Sequence, residues 1–159
     1  MTRPQTQTES SERSSSVEAI RANPKDLSPR GWKVFAELIA PAVARQREVT
    51  LLHELEEAAA DLRQLWFLLD PEGDAVGAVL TSVVTYQSGL KACVIVFGST
   101  TGTDLSWESM RGVVATIEAF AADCGCDIVR IHGRRGWVRV FKDYNPAYVT
   151  LEKNLGGVH

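Results

Sequence analysis

From residue 91 to residue 155 the apolar positions change period repeatedly, and each change marks an element. Ala92-Cys93-Val94-Ile95-Val96-Phe97 is a continuous apolar run closed by Gly98-Ser99-Thr100-Thr101-Gly102-Thr103, which reads as a buried strand and its turn. Trp107, Met110, Val114, Ile117, Ala121 and Cys124 then recur at three- and four-residue intervals. That spacing predicts a helix with one buried face, anchored first by Trp107 behind a Ser106 N-cap. Gly125 stops it. A strand over 127–131, a short helix over 136–142 and a last strand over 147–152 follow.

The first half is read the same way. Ser28-Pro29 opens a helix whose apolar face carries Trp32, Phe35, Leu38 and Ile39, with Ser28 as N-cap and Pro29 at the first helical position. Pro41 lacks a backbone donor, so it is expected to kink or restart that helix. Thr50 caps a second helix over 51–62, whose carboxylates Glu54, Glu56, Glu57 and Asp61 read as a solvated face. Strands over 64–69, 74–86 and 91–98 are separated by Asp70-Pro71-Glu72-Gly73-Asp74 and Gln87-Ser88-Gly89, both turns by composition. The expected architecture is α/β (α+β): a central mixed, twisted sheet with helices on its faces.

Composition changes this picture at the N-terminus. Residues 1–28 are rich in Ser, Thr, Gln and Glu, with few apolar positions, and such a segment buries too little to offset its ordering entropy. The expected division is a flexible arm over 1–28 and one domain over 29–159. A chain of 159 residues, 45% apolar and 23% charged, fits one globular domain that needs neither disulfide nor metal. The three cysteines have no metal-ligand spacing, and no window approaches a membrane span. A site in a cytoplasm, or in a particle assembled there, is expected.

The net charge of −3 is unevenly spread: residues 31–126 hold six Lys/Arg against thirteen Asp/Glu, while 127–159 hold six against three. The excess centres on residues 132–142, where Arg134, Arg135, Arg139 and Lys142 surround Trp137 and Phe141. Two readings stay open for it. One is an anion or protein contact. The other is a solvated helix whose Arg stems cover apolar neighbours. One such cluster on an acidic chain is a poor basis for nucleic-acid binding.

The order of elements over about residues 30–155 resembles the GNAT superfamily of N-acetyltransferases. The segment from Gly136 to Tyr144 is similar to that family's short helix and its aromatic end. The Gly-Cys-Asp…Gly-Arg-Arg-Gly-Trp…Leu-Glu-Lys-Asn-Leu pattern is similar to small phage-encoded GNAT-like proteins, distantly related to the internal virion protein family of T7-like phages. The resemblance implies acetyl-CoA, with its pyrophosphate gripped by loop amides and a helix N-terminus after the fourth strand. Here that place falls to Gly98, Ser99, Thr100, Thr101, Gly102 and Thr103, without the family's opening Gln or Arg and with Asp104 close by. The family's catalytic carboxylate and tyrosine have no clear counterparts: residues 91–97 hold no acid and residues 136–142 no Tyr. Tyr86 and Tyr144 read as packing aromatics.

Three functions follow as expectations. The favoured one is a degenerate, non-catalytic GNAT-fold phage protein without a cofactor, a virion structural or assembly component. Its partners would be portal, capsid or tail proteins, and it would reside in the virion or the host cytoplasm. The alternative is an acetyl-CoA-dependent N-acyltransferase acting on a small or protein amine, with a cleft where the strands over 91–97 and 127–131 splay apart. The third, a nucleic-acid-binding regulator using Arg134, Arg135, Arg139 and Lys142, would show steeply salt-dependent affinity.

Overall fold

A computed structural model describes residues 16–101, 105–133 and 135–156. Five strands form one sheet in the order β1-β2-β3-β4-β5: β1 (Glu18–Ala22), β2 (Gln64–Leu69), β3 (Ala75–Thr85), β4 (Lys91–Thr100) and β5 (Ile128–Ile131). The first four strands are antiparallel to their neighbours, and β5 runs parallel to β4. Three helices cover the sheet: α1 (Pro29–Val43), α2 (Leu51–Ala59) and α3 (Trp107–Asp123). Their N-caps are the residues the sequence points to. Ser28, Thr50 and Ser106 each accept a first-turn amide, from Gly31, His53 and Ser109 at 3.0, 3.2 and 3.2 Å.

Each sheet face has its own core. Leu65, Ala78, Leu80 and Phe97 pack with Phe35, Leu38, Ile39 and Val43 of α1 and Ala58 of α2. On the other face Trp66, Leu68, Val79, Cys93 and Ile95 pack with Val113, Val114, Ile117 and Ala121 of α3, joined by Val140 and Phe141. The buried positions of α3, Ser109, Val113, Val114, Ile117 and Ala121, share one helical face, so the predicted helix is present. Its first anchor is not. Trp107 is 60% exposed, and the first turn is buried through Ser109 instead.

Other expectations change as well. Glu18–Ala22 lies inside the segment read as an arm, yet it pairs along its whole length with Leu69–Leu65 of β2 and buries Ala19. The strand is amphipathic only at Ala19, too weak a pattern to show alone. An existing β2 edge supplies the hydrogen bonds that order it. Pro41 does not restart α1: the helix runs through it and ends two residues later, at Val43. Helix α2 stops at Ala59 rather than 62, with Asp61 at φ 63° closing the helix end. In place of the helix expected over 136–142 there is a 3-10 turn at Arg135–Arg139, and residues 147–152 form no strand. Among the described residues no helix is long and apolar enough to cross a membrane.

Candidate functional site

The sheet is closed on one side of β4 and open on the other. Strand β3 pairs with β4 from Thr85–Lys91 to Gly77–Thr100, whereas β5 pairs with it only from Ala92–Ile128 to Ile95–Ile131. The last link is the His132 amide donating to Ile95 O at 3.1 Å. Beyond it β4 continues to Thr100 while the chain after β5 turns away through Gly133 into the 3-10 turn. Among the described residues none pairs with the backbone edge of residues 96–100 on this side, which leaves a notch beside it. The splay expected between residues 91–97 and 127–131 is not what forms: residues 128–131 pair with 92–95 throughout, and β4 simply outruns β5.

A β-bulge sits at the base of the notch. Leu80 lies opposite Phe97 and Thr81 opposite Ile95, so Val96 is an extra residue with no partner on β3. An extra residue redirects the backbone and reverses which face later side chains meet. Accordingly Cys93 and Ile95 belong to the α3 core, while Phe97 belongs to the α1 core. A uniformly apolar run from 92 to 97 conceals this, since neither face of it is polar.

Close approach of β3 keeps the closed side shut. A Cβ on Gly77 would lie 2.6 Å from Ser99 O, so only glycine lets the strands meet there. Gly98 differs: a Cβ there would find only Val79 Cγ2 at 3.8 Å. Among the described residues nothing else lies within 4 Å of that position.

The pyrophosphate loop read from the sequence is partly strand. Gly98, Ser99 and Thr100 belong to β4, opposite Val79, Ala78 and Gly77. Thr101 follows them closely, its amide donating to Val76 O at 2.8 Å and its hydroxyl to the same oxygen at 3.2 Å. Four of the six residues therefore extend the sheet, because β3 is long enough to offer partners. Gly102 and Thr103, with Asp104, lie outside the described residues. At the start of α3 the Ser106 cap holds the Ser109 amide, and Glu108 places a carboxylate in the first turn.

The basic segment is divided. Arg134 lies outside the described residues, and Arg135 is placed only as the start of the 3-10 turn. Arg139 and Lys142 are exposed, while Trp137 and Phe141 stack at 5.6 Å and close the end of the α3 core. Two tyrosines are engaged elsewhere. Tyr144 donates to Glu118 Oε2 at 2.9 Å, and burial together with that carboxylate pushes its phenol well above the ordinary value. Tyr86 lies past the end of β3 with the Arg130 guanidinium 5.0 Å from its ring centroid.

Sequence reading missed one buried charge. Glu54 is 2% exposed and pairs with Arg63 at 3.2 Å, which also reaches Ser82 Oγ at 3.4 Å. It does not belong to a solvated face with Glu56 and Asp61, because its turn of α2 points at the sheet. The pattern Leu51, Glu54, Leu55, Ala58 held that signal, since Glu54 stands at a core position of the helix. Burial of Cys93, then its neighbours Cys126 and Cys124, raise its thiol to about 11, so it stays protonated at neutral pH. Among the described residues no group of three His, Cys, Asp or Glu could hold a metal.

No family model and no curated protein matches the chain. Solved structures do. A ribosomal-protein-alanine N-acetyltransferase from Brucella melitensis superposes with a TM-score of 0.61 at 15% identity, covering 89% of this chain and 100% of that one. A predicted acetyltransferase with acetyl-CoA from Clostridium acetobutylicum gives 0.63 at 12%, with 87% and 96% covered. A GNAT family acetyltransferase from Staphylococcus aureus gives 0.57 at 13%, with 88% and 99% covered. The fold is that of the GNAT acetyltransferases. The GNAT-like architecture read from the order of elements is therefore present, and these neighbours carry no likeness to phage proteins in their names.

Proposed function

We propose that this GNAT-fold protein is an acetyl-CoA-dependent N-acyltransferase acting on a small or protein amine, with its cofactor in the notch between β4 and β5. The observation that carries the proposal is the bared edge of β4 over residues 96–100, starting at the bulge. An exposed strand edge presents backbone donors and acceptors to an extended, amide-bearing ligand as it would to another strand. The arm of coenzyme A carries such amides, and the open side of Gly98 leaves room for it. Bound there, the thioester would supply an activated acyl group for transfer to nitrogen. The chain's part is to hold that thioester against the β4 edge and the Val96 bulge, with the α3 core excluding water below. The solved relative with acetyl-CoA supports the choice of cofactor.

Calorimetric titration with acetyl-CoA tests the reading. A Kd below about 100 μM, equivalent to about −5.5 kcal/mol, is expected. Gly98→Leu should weaken it by at least tenfold, about 1.4 kcal/mol, without lowering the melting temperature. Absence of binding at millimolar cofactor overturns the proposal, and binding indifferent to Gly98→Leu overturns the place assigned to it.

One observation favours a second reading. Neither β4 nor β5 contains a carboxylate, and Tyr144 is bonded to Glu118. A non-catalytic body docking on portal, capsid or tail proteins of a phage particle would use the same fold without turnover. Cofactor binding with no acetyl transfer to any amine offered, and presence of the chain in purified virions by mass spectrometry, would select it.

A further inference from the structure

Arg130 is a cation without an anion. Val129 and Ile131 pack on the α3 core, so strand alternation puts Arg130 on the opposite, α1 face of β5. It lies in one row with Val94 of β4 and Ser82 of β3. Its guanidinium carbon sits 5.0 Å from the Tyr86 ring centroid and 5.4 Å from that of Tyr148. Aromatic faces attract a guanidinium and hold it in place, but they accept none of its in-plane hydrogen bonds. Among the described residues no carboxylate pairs with it, and its Nε is buried without an acceptor.

Acids are close at hand. Arg130 lines a cavity of about 490 Å³ together with Glu118, Asp127 and Asp143. Two of these are engaged elsewhere: Glu118 accepts from the Tyr144 hydroxyl at 2.9 Å, and Asp127 from the Lys91 amide at 2.9 Å. An arginine placed only to hold the fold would take such a carboxylate, since buried charges and buried donors are costly when unpaired. This guanidinium is instead positioned by rings, with its hydrogen-bonding edge left over for an acceptor from outside.

We propose that Arg130 is a docking point for a carboxylate, and that the acceptor amine of this protein carries that carboxylate; the second clause rests on the acyltransferase reading above. The fork offers Nε–H and one Nη–H side by side, the spacing that a planar carboxylate accepts with both oxygens. Tyr148 is 80% exposed, so its ring can yield to admit the ligand. One positive charge among three carboxylates suits a monoanion that also bears a cationic nitrogen, and it opposes a phosphate dianion. Val94, the partner of Arg130, precedes the Val96 bulge by two residues, about 7 Å along β4. The site therefore stands beside the base of the notch, on the face opposite α3.

Titration of the isotope-labelled full chain with acetate, followed by NMR at the Arg130 Nε–H, tests the site. That signal is identified by its loss in Arg130→Lys. Acetate should shift it saturably with a Kd of about 20 mM or below, while acetamide leaves it in place. In Arg130→Lys, which keeps the charge but not the fork, the acetate response of the backbone amides of residues 128–131 should weaken at least about fivefold. No saturable shift up to about 200 mM acetate, or a tighter response to inorganic phosphate, overturns the carboxylate site. This readout needs no cofactor, so it holds or fails separately from acetyl-CoA binding. With acetyl-CoA supplied, a mixture of the common amino acids should be acetylated at least about tenfold faster than the matching amino-acid amides. Equal rates, including none with either, or a preference for the amides, overturn the assignment of the carboxylate to the acceptor.

Discussion

The two sides of β4 are built from the same apolar strand yet reach opposite outcomes. Toward β3 the ladder runs the length of the strand, helped by Gly77, whose missing side chain lets the Ser99 carbonyl approach. Toward β5 it stops after Ile95–Ile131, five residues short of the end of β4. The closed side satisfies its backbone internally and acts as a rigid wall. The open side leaves donors and acceptors for something else to meet. Rigidity next to vacancy is what a site for an extended ligand needs, since the wall holds the bare edge in place before the ligand arrives.

The contrast can be broken from the closed side first. Arg63 is the partner of a carboxylate that is 2% exposed, so Arg63→Met should leave Glu54 buried without compensation. A loss of about 3–5 kcal/mol in urea unfolding is expected, with Glu54→Gln on the same background restoring part of it. A loss within the range of ordinary surface substitutions would mean that the pair is solvated in solution.

The next test probes β4 itself through pH. Burial chiefly raises the Cys93 thiol from 9.0 in the unfolded chain to about 11 in the folded one. The sign follows from the upward direction. Below pH 9 both states hold the proton and the full stability is present. Between pH 9 and 11 the unfolded chain releases it first, so stability falls. The decline attributable to this thiol should approach about 2–3 kcal/mol by pH 11, and Cys93→Ala should show a correspondingly shallower fall over that window. Equal slopes for both proteins would remove the assignment.

Gly77→Ala sharpens the comparison at smaller cost. The added methyl meets a backbone oxygen, which cannot swing aside as a side chain would. About 1–3 kcal/mol of destabilisation is expected, whereas Gly98→Ala, facing open space, should cost less than half as much by the same measurement. Equal costs would show that the two sides of β4 are not packed differently.

Most secondary structure was legible because its causes are local. Caps at Ser28, Thr50 and Ser106, the apolar face of α1, and the turns at 70–74 and 87–89 each depend on residues close in sequence. The candidate site was legible only in outline. The acetyltransferase alternative implied a splay between the fourth and fifth strands, whereas residues 128–131 pair fully and β4 outruns them, and Gly98-Ser99-Thr100 read as a loop because Gly, Ser and Thr punctuate chains more often than they extend strands. Trp107 read as buried because it matched the helical spacing, which does not say where the sheet ends. Both errors concern what lies across the chain rather than along it.

The division is physical. By itself the sequence determined which stretches coil and which extend, how many layers form, and that the whole is a mixed sheet between helices. Those features rest on side-chain period and on capping within a few residues. Only the tertiary structure decided that Glu18–Ala22 joins the sheet, that Val96 bulges, that Glu54 is buried, and that residues 147–152 form no strand. Each depends on a hydrogen-bonding or packing partner distant in sequence, and such partners are chosen by register and by the edges left free once the core has closed.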